Sequence, residues 1–411
     1  MLYFIGGAGN GNFGDELILR GWLDYLTELG RAEDAVFDEN SAGKARGLFG
    51  AAFPKLRFRD DISRLKRQGS DGFWASLGRG LKFFRNGGFE RHPGLGHLDE
   101  VFRGLKVLHL HGGGFVNTIW PQNAFLLGFA AAVKAHYGCR VVGTGLGLMP
   151  APEPGEPHRA GLRAAVEAFD LIELRDRWSY DYLRRHSASP RILLGLDDSY
   201  LIPRERQPWP GPALGPAPRP RTLHLSYFVA ADRFEHALDI ASGPGADRFE
   251  RILFWSCTDR DDHCFERLAA VCPRAERIAW RDLLFGRIPV SPGDYMVTAR
   301  FHPHLLAARH GAGGLYRADQ GYYDVKHGSV IDLGSPFAAM GAPAAVPDEG
   351  TAPSLIHALD DQRVATKRRL AAYIYQDLLP GDRGRTGLPA AGTARGIRSE
   401  TQGEIQSESR L

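Results

Sequence analysis

The sequence has 411 residues, with 51 lysines and arginines against 48 acidic residues and a net charge of +3. This length suggests two or three domains, and a hydrophobic content of 43% is that of a globular protein rather than a disordered one. The near balance of charge argues against a nucleic-acid-binding protein with a pervasive basic surface. No apolar run reaches the length of a membrane-spanning helix, and the N-terminus lacks a signal-peptide pattern. The expected location is the cytoplasm.

The cysteine pattern gives no sign of a metal site. The four cysteines form no C-x-x-C pair and have no zinc-like spacing, as expected of reduced thiols in a reducing compartment. They are Cys139, Cys257, Cys264 and Cys272.

Short apolar runs followed by helical patterns recur along the chain, as in βαβ units around a parallel sheet. In the first half they predict strands at 2–5, 35–37, 107–110, 140–142 and 171–174, and helices at 16–29, 125–133 and 178–186. In the second half they predict strands at 222–229, 251–256, 295–298 and 314–316, and helices at 262–271 and 303–310. The sequence therefore predicts two Rossmann-like α/β domains with parallel sheets. Because ligands bind at the carboxyl ends of such strands, we expect the site in a cleft between the domains.

The composition predicts the domain boundaries. Residues 203–221 are so rich in proline that they can form neither a helix nor a central strand. We interpret them as a linker between an N-terminal domain, 1–202, and a C-terminal domain, 222–380. Residues 381–411 have few apolar side chains, which predicts a disordered tail.

Residues 40–95 form a basic, aromatic segment without an obvious βαβ period. The segment has twelve lysines and arginines against four acidic residues, hence +8, and eight phenylalanines and tryptophans interleaved with them. This composition suits peripheral contact with an anionic membrane surface. The alternative is an insertion whose aromatic side chains pack on the domain while its cations stay in water.

A glycine-rich loop follows the first predicted strand. Gly9 to Gly14 satisfies G-x-G-x-x-G, and Asp38 lies at the distance of the acidic residue in a dinucleotide fingerprint. Backbone amides at the start of the next helix are suited to an anion, whether pyrophosphate, phosphate or carboxylate. Against a dinucleotide, Asp15 would put negative charge beside a phosphate. A tight turn with a capped helix explains the pattern equally well.

Further polar motifs follow other predicted strands. His111-Gly112-Gly113-Gly114 and Gly143–Gly147 are glycine turns. Arg175 follows a buried strand, where an arginine can hold a carboxylate or phosphate through two parallel hydrogen bonds; it can also pair with Asp176 at the helix start. Arg300 and His302 alternate with Phe301, so in extended geometry both point to one side. A cation beside an imidazole, which titrates near neutrality, makes an anion site with a general acid.

Taken together, these motifs resemble those of the polysaccharide pyruvyl transferases, in order and with sensible spacing between about 10 and 335. The resemblance rests on the N-x-G-D loop, the glycine triplet, the R-D-x-x-S segment, the R-x-H segment and a lysine near Gly334. In this chain these are Asn10 to Glu16, His111 to Gly114, Leu174 to Ser179, Ala299 to His302, and Lys326. Two departures are Phe301, usually Leu, and Gly311–Gly314 in place of G-x-P, which leaves contacts with the acceptor there open.

The resemblance implies a two-domain fold of the GT-B type and transfer of pyruvate from phosphoenolpyruvate to a sugar as a cyclic ketal. The acceptor is then a glycan or a lipid-linked oligosaccharide, with no redox cofactor, no metal and no nucleic acid. We expect His302 to be the acid and Asp15 a candidate base. Substrate-binding residues are expected at Asn10, Asn12, Gly14, Gly112, Gly113, Gly114, Arg175, Arg300 and Lys326.

Three other functions compete with this one. They are a GT-B-type glycosyltransferase that uses a sugar nucleotide, a catalytically silent partner in envelope assembly, and a nicotinamide oxidoreductase. The presence of Arg175, Arg300 and His302 argues against the silent partner, because an idle site needs no such trio.

Overall fold

The computed structural model describes residues 1–69, 72–204, 221–228, 231–317, 321–340 and 354–375. Most of the predicted linker, 203–221, and the whole predicted tail, 381–411, lie outside these ranges. The chain divides into a compact unit, Met1–Arg368, and a second unit, Arg369–Leu411. Only 369–375 of the second unit are described, and they form the end of a helix.

The first sheet has seven parallel strands in the order β3-β2-β1-β4-β5-β6-β7. The strands are β1 (Leu2–Ile5), β2 (Ala35–Asp38), β3 (Arg57–Arg59), β4 (Val107–Leu110), β5 (Arg140–Leu146), β6 (Leu171–Leu174) and β7 (Ile192–Leu194). The central strands β1, β2, β4 and β6 are buried along their whole length, as expected where helices cover both faces of a parallel sheet.

The second sheet has six parallel strands in the order β10-β9-β8-β11-β12-β13. They are β8 (Thr222–Ser226), β9 (Arg251–Ser256), β10 (Ala275–Ala279), β11 (Tyr295–Thr298), β12 (Gly313–Tyr316) and β13 (Ala338–Ala339). Two parallel sheets with flanking helices confirm the predicted α/β class and the GT-B-like arrangement of two Rossmann-like sheets.

Helices connect the strands. In the first half they are α1 (Phe13–Glu28), α2 (Ala42–Phe49), α3 (Asp61–Arg67), α4 (Gly72–Leu81), α5 (His97–Arg103), α6 (Phe125–Tyr137), α7 (Glu156–Glu167) and α8 (Arg177–His186). In the second half they are α9 (Ala231–Ser242), α10 (Asp262–Val271), α11 (Trp280–Phe285), α12 (Phe301–Arg309), α13 (Gly321–Asp332), α14 (Leu355–Ala358) and α15 (Asp360–Tyr375). None of the helices in the described part of the chain is long and apolar enough to cross a membrane.

The basic segment 40–95 is part of the first half rather than an insertion into it. It contributes the edge strand β3 and helices α2, α3 and α4. Helix α4 packs closely on α6: a Cβ atom at Gly80 would lie 2.3 Å from the carbonyl oxygen of Phe125, and one at Gly128 would lie 2.2 Å from that of Leu77. Glycine is therefore required at both positions for this helix contact.

The aromatic side chains of this segment pack inside the protein. Five are buried and three are half-buried; the buried ones are Phe49, Phe58, Phe73, Phe83 and Phe89. Nine of its twelve lysines and arginines are exposed. This distribution matches the alternative in which the aromatic side chains pack on the domain and the cations remain in water.

Buried ion pairs connect the two halves within the first compact unit. Arg309 on α12 is fully buried; its Nε donates to Asp360 at 2.6 Å, and its two Nη atoms donate to the carbonyl oxygens of Ser199 and Ile202. Lys367 on α15 is also buried, and its Nζ pairs with Glu173 and Asp198 at 2.5 Å each. These contacts pair charged side chains of the second half with groups of the first half.

Candidate active site

A cavity of about 400 Å³ lies between the loops at the carboxyl ends of the two sheets. The first half contributes the loop after β1, the glycine triplet after β4 and the residue after β6. The second half contributes the loop after β11 and helix α13. The predicted site residues that line the cavity are Asn10, Asn12, Gly14, Asp15, Gly114, Arg175, Arg300, His302 and Lys326.

The glycine-rich loop after β1 is held by its own side chains. Glu16 is 1% exposed, and its Oε1 accepts from the amides of Gly9 at 2.8 Å and Gly11 at 3.2 Å. Asn12 caps α1 by accepting from the amide of Gly14 at 3.1 Å. These three amides are therefore bonded within the loop and are not free for an anion. The loop contributes the side chains of Asn10, Asn12 and Asp15 to the cavity instead.

Asp38 is not placed to bind a ribose. It is fully buried, accepts from the hydroxyl of Tyr3 at 2.7 Å and from the amides of Ile62 and Ser63, and so anchors the start of α3. Burial raises its pKa to about 6. The loop therefore lacks the acidic residue that a dinucleotide site uses to bind a ribose.

Of the three glycines after β4, only Gly114 lines the cavity. The amide of Gly112 donates to Asp198 at 2.8 Å, and Gly113 has a φ of 135° and donates to the carbonyl oxygen of Gly145. These two glycines shape the turn and do not reach the cavity. A Cβ atom at Gly114 would lie 2.8 Å from Nη2 of Arg175, so the glycine gives that guanidinium its space.

The histidine before this triplet belongs to a buried pair behind the cavity. Nε2 of His111 lies 2.6 Å from Oε1 of Glu39, and both side chains are at most 1% exposed. Burial alone would lower the pKa of His111, but Glu39 raises it above the usual value.

Arg175 is held in a fixed orientation at the end of β6. Its Nη1 donates to Oδ2 of Asp197 at 2.7 Å, and its guanidinium lies 4.5 Å from the ring centroid of Phe301. The phenylalanine that departs from the usual leucine thus stacks on a cation of the site. Burial would raise the pKa of Asp197, but His302 and Arg175 hold it well below its usual range.

Arg300 and His302 both line the cavity, although not as an extended pair. Arg300 precedes α12 and His302 lies in its first turn, so the prediction of extended geometry is wrong. A Nη of Arg300 pairs with Asp261, while its Nε is buried and has no hydrogen-bond partner among the described residues. Nε2 of His302 lies 3.5 Å from Oδ1 of Asp197. Arg300 and His302 therefore each line the cavity and each have a buried nitrogen without a hydrogen-bond partner among the described residues.

Lys326 reaches the cavity from α13. Its Nζ donates to the hydroxyl of Tyr322, which in turn donates to the carbonyl oxygen of Gly114 at 3.1 Å. Burial, followed by the nearby Arg175, lowers the pKa of Lys326 to about 7. Burial raises the pKa of Asp15, although His302, Lys326 and Arg175 oppose this rise. One carboxylate is thus surrounded by cations.

The second departure from the family pattern lies away from the cavity. Gly314 is in β12, where a Cβ atom would lie 1.9 Å from the carbonyl oxygen of Met296. Neither it nor Gly311 lines the cavity. This stretch therefore meets a packing requirement of β11 and β12.

Sequence reasoning missed one part of the site. Lys66 and Arg67 on α3 line the cavity together with Asn40. All three lie in the basic segment, for which the sequence suggested either membrane contact or solvent-exposed cations. Trp120 and Tyr322 add aromatic walls, with ring centroids 5.7 Å apart. The one available signal was that Asn40 closely follows β2, at the sheet edge where the other site residues gather.

Comparison with known proteins finds the same family that the sequence motifs resemble. The family model for polysaccharide pyruvyl transferases matches residues 12–268, more than half of the chain. No curated protein matches the sequence significantly.

Solved structures show the same fold at low sequence identity. A UDP-N-acetylglucosamine 2-epimerase from Rickettsia bellii has a TM-score of 0.52 and 10% identity, covering 92% of this chain and 97% of its own. HepE from Anabaena, solved with UDP, has a TM-score of 0.50 and 13% identity, covering 92% and 99%. A glycosyltransferase from Rickettsia africae has a TM-score of 0.50 and 9% identity, covering 93% and 99%. At these identities the similarity concerns the fold alone.

Proposed function

The chain belongs to the polysaccharide pyruvyl transferase family, and we propose that it transfers pyruvate from phosphoenolpyruvate to a sugar of a cell-surface glycan or its lipid-linked precursor, forming a cyclic ketal. The observation that carries this proposal is the convergence of Arg175, Arg300, His302 and Lys326 around Asp15 in one cavity. The donor has a carboxylate and a phosphate, and these cations are suited to both groups.

The arginines bind and orient the donor in this proposal. Arg175 is fixed by Asp197 and by the ring of Phe301, so it meets an anion with little loss of side-chain freedom. Arg300 has its buried Nε unbonded among the described residues and can donate it to the donor. Lys326, whose pKa is about 7, gains a full charge when an anion binds beside it.

His302 and Asp15 move the protons. His302 protonates the methylene carbon of phosphoenolpyruvate, which leaves a cationic C2. An acceptor hydroxyl attacks C2 and gives its proton to Asp15, whose raised pKa makes it a stronger base. The C2–O bond to phosphate breaks, and a neighbouring hydroxyl closes the ketal. Of the two hydroxyl protons, one balances the proton gained by the methyl group and the other leaves with phosphate.

A glycosyltransferase that uses a sugar nucleotide is the second candidate, because HepE of similar fold was solved with UDP. The donor site separates the two. Arg175, Arg300 and Lys326 suit a compact, highly charged donor. The amides of Gly9, Gly11 and Gly14 are bonded to Glu16 and Asn12 rather than free for a diphosphate.

Thermal shift with three ligands tests the proposal directly. We expect phosphoenolpyruvate to raise the melting temperature, and a UDP-sugar and NAD to leave it unchanged. Phosphate release that requires a glycan acceptor, together with a pyruvate ketal in the product, would establish turnover. A shift with the UDP-sugar and none with phosphoenolpyruvate would favour the glycosyltransferase. Binding of phosphoenolpyruvate without turnover on any glycan of the native surface would favour the silent partner.

A further inference from the structure

Lys66 is a buried cation that faces the cavity. It lies on α3, is 3% exposed and lines the cavity wall. Its Nζ donates to Oδ1 of Asn40 at 3.0 Å. The amide nitrogen of Asn40 donates to the carbonyl oxygen of Gly7 at 2.6 Å, which fixes the orientation of the amide. An ammonium group has three donors, so Lys66 keeps hydrogen-bonding capacity toward the cavity.

Unlike comparable buried cations of the molecule, Lys66 has no carboxylate of the described residues within ion-pairing distance. Arg175 pairs with Asp197, and Arg309 and Lys367 also have carboxylate partners. A buried charge is costly unless it is paired. Burial lowers the pKa of Lys66 to about 8, which still leaves it charged near neutrality. An anion that enters the cavity would supply the missing partner.

The two lysines that line the cavity have different charged neighbours. The charged groups that most affect the pKa of Lys326 are Arg175, Asp15 and Arg300. The charged groups that most affect the pKa of Lys66 are instead Asp38, Glu39 and Arg67, followed by Asp15. The carboxylate of Asp15 is the group that both sets share.

We infer that Lys66, with Asn40 and Arg67, forms an anion subsite that receives a phosphate group of the sugar acceptor. This inference rests on the proposed function. If the donor occupies Arg175, Arg300 and Lys326, Lys66 remains as a buried cation of the same cavity for a group of the acceptor. Lysine binds phosphate as a point charge. Arg67 is exposed and its Nη1 lies 3.4 Å from the carbonyl oxygen of Asn40, which adds a second cation.

Calorimetric titration with inorganic pyrophosphate, in the presence of saturating phosphoenolpyruvate, tests the subsite without knowledge of the sugar. We expect pyrophosphate to bind the wild-type protein and Lys66→Gln to weaken this binding about tenfold or more. Arg67→Gln, a surface change that cannot disturb the core, should weaken it less. Lys44→Gln removes an exposed cation of the same segment and should change nothing. The affinity of Lys66→Gln for phosphoenolpyruvate should stay near that of the wild type.

Three results would overturn the inference. In the first, phosphoenolpyruvate displaces pyrophosphate, and neither Lys66→Gln nor Arg67→Gln changes pyrophosphate binding. The donor site would then be the only anion site of the cavity. Equal loss of phosphoenolpyruvate affinity in Lys66→Gln would place Lys66 in the donor site. If glucuronate binds in a manner that depends on Lys66 and pyrophosphate does not, the subsite receives a carboxylate instead of a phosphate. If phosphoenolpyruvate does not bind the wild type, the proposed function fails, and the pyrophosphate titration alone still shows whether Lys66 holds phosphate.

Discussion

The imidazole of His302 occupies the space that Gly14 leaves open: a Cβ atom at Gly14 would lie 1.9 Å from Nδ1 of His302. Gly14 lies after β1 of the first sheet and His302 lies after β11 of the second sheet. The contact therefore joins the two halves at the cavity. The last glycine of the G-x-G-x-x-G pattern thus makes room for a side chain of the other half, not for a pyrophosphate.

Gly14→Ala therefore tests the position of His302. We expect the added methyl group to displace the imidazole and to lower kcat about a hundredfold or more, because a displaced catalytic group loses its reactive geometry. Gly43→Ala is the control, since a Cβ atom at Gly43 in α2 meets nothing within 4 Å. Pyruvylated product and the melting temperature are measured for both variants. A Gly14→Ala protein with normal turnover would show that the contact has no catalytic importance.

His302→Asn separates catalysis from packing. Asparagine is polar and of similar size but cannot deliver the proton, so we expect kcat to fall roughly 10²–10⁴-fold with little change in donor affinity. If His302 only joins strand to helix, the melting temperature falls while turnover per folded molecule stays intact. Near-normal turnover would remove His302 from the mechanism.

Arg300→Lys addresses donor binding. Lysine keeps the charge but loses the planar fork, so KM for phosphoenolpyruvate should rise about tenfold or more while kcat changes less. Arg177→Lys is the matched control, because Arg177 is an exposed residue of the neighbouring R-D-x-x-S segment and does not line the cavity. An unchanged KM for Arg300→Lys would exclude a two-point contact with the donor.

The elements that the sequence predicted are those with the strongest apolar runs. The bounds of β1, β4, β6, β9 and β11 agree with the predictions, because a strand buried on both faces is mostly apolar. Two edge strands, β3 and β10, were missed for the opposite reason. Strand β3 is Arg-Phe-Arg and β10 carries Glu276 and Arg277, since an edge strand is half-exposed and tolerates charge.

The candidate site was predictable where a motif directly follows a central strand. Arg175, Arg300 and His302 were found in this way. Lys66 was not, because its place in the cavity depends on how α3 packs beneath Asp38, and no local pattern encodes that contact. The excess of positive charge in segment 40–95 indicated surface residues, but Lys66 is buried.

The exposed cations of segment 40–95 leave a membrane contact open to test. Because the aromatic side chains of the segment are buried or half-buried, we expect any contact to be electrostatic, at about 1 kcal/mol per cation near the surface and weaker in salt. The protein should sediment with anionic vesicles at low salt and remain in the supernatant at high salt or with neutral vesicles. Equal recovery in the supernatant under all four conditions would rule the contact out.

Glu16 predicts a pH dependence of stability. It is 1% exposed, and burial raises its pKa from 4.5 to about 7 in the folded protein. Between these two values the folded protein holds a proton that the unfolded chain has released. The free energy of unfolding therefore falls as the pH rises through this window, by up to about 3 kcal/mol. Above the folded pKa the loss is complete.

Glu16→Gln should remove this dependence. The amide oxygen can still accept from Gly9 and Gly11, but the side chain cannot ionise. We expect the difference in unfolding free energy, variant minus wild type, to increase between pH 5 and pH 8, as measured by urea unfolding. Glu100→Gln, at an exposed position on α5, should leave the dependence as it is in the wild type. A Glu16→Gln protein whose stability falls with pH as steeply as the wild type would mean that Glu16 is ionised throughout and that the glycine-rich loop is held by a carboxylate.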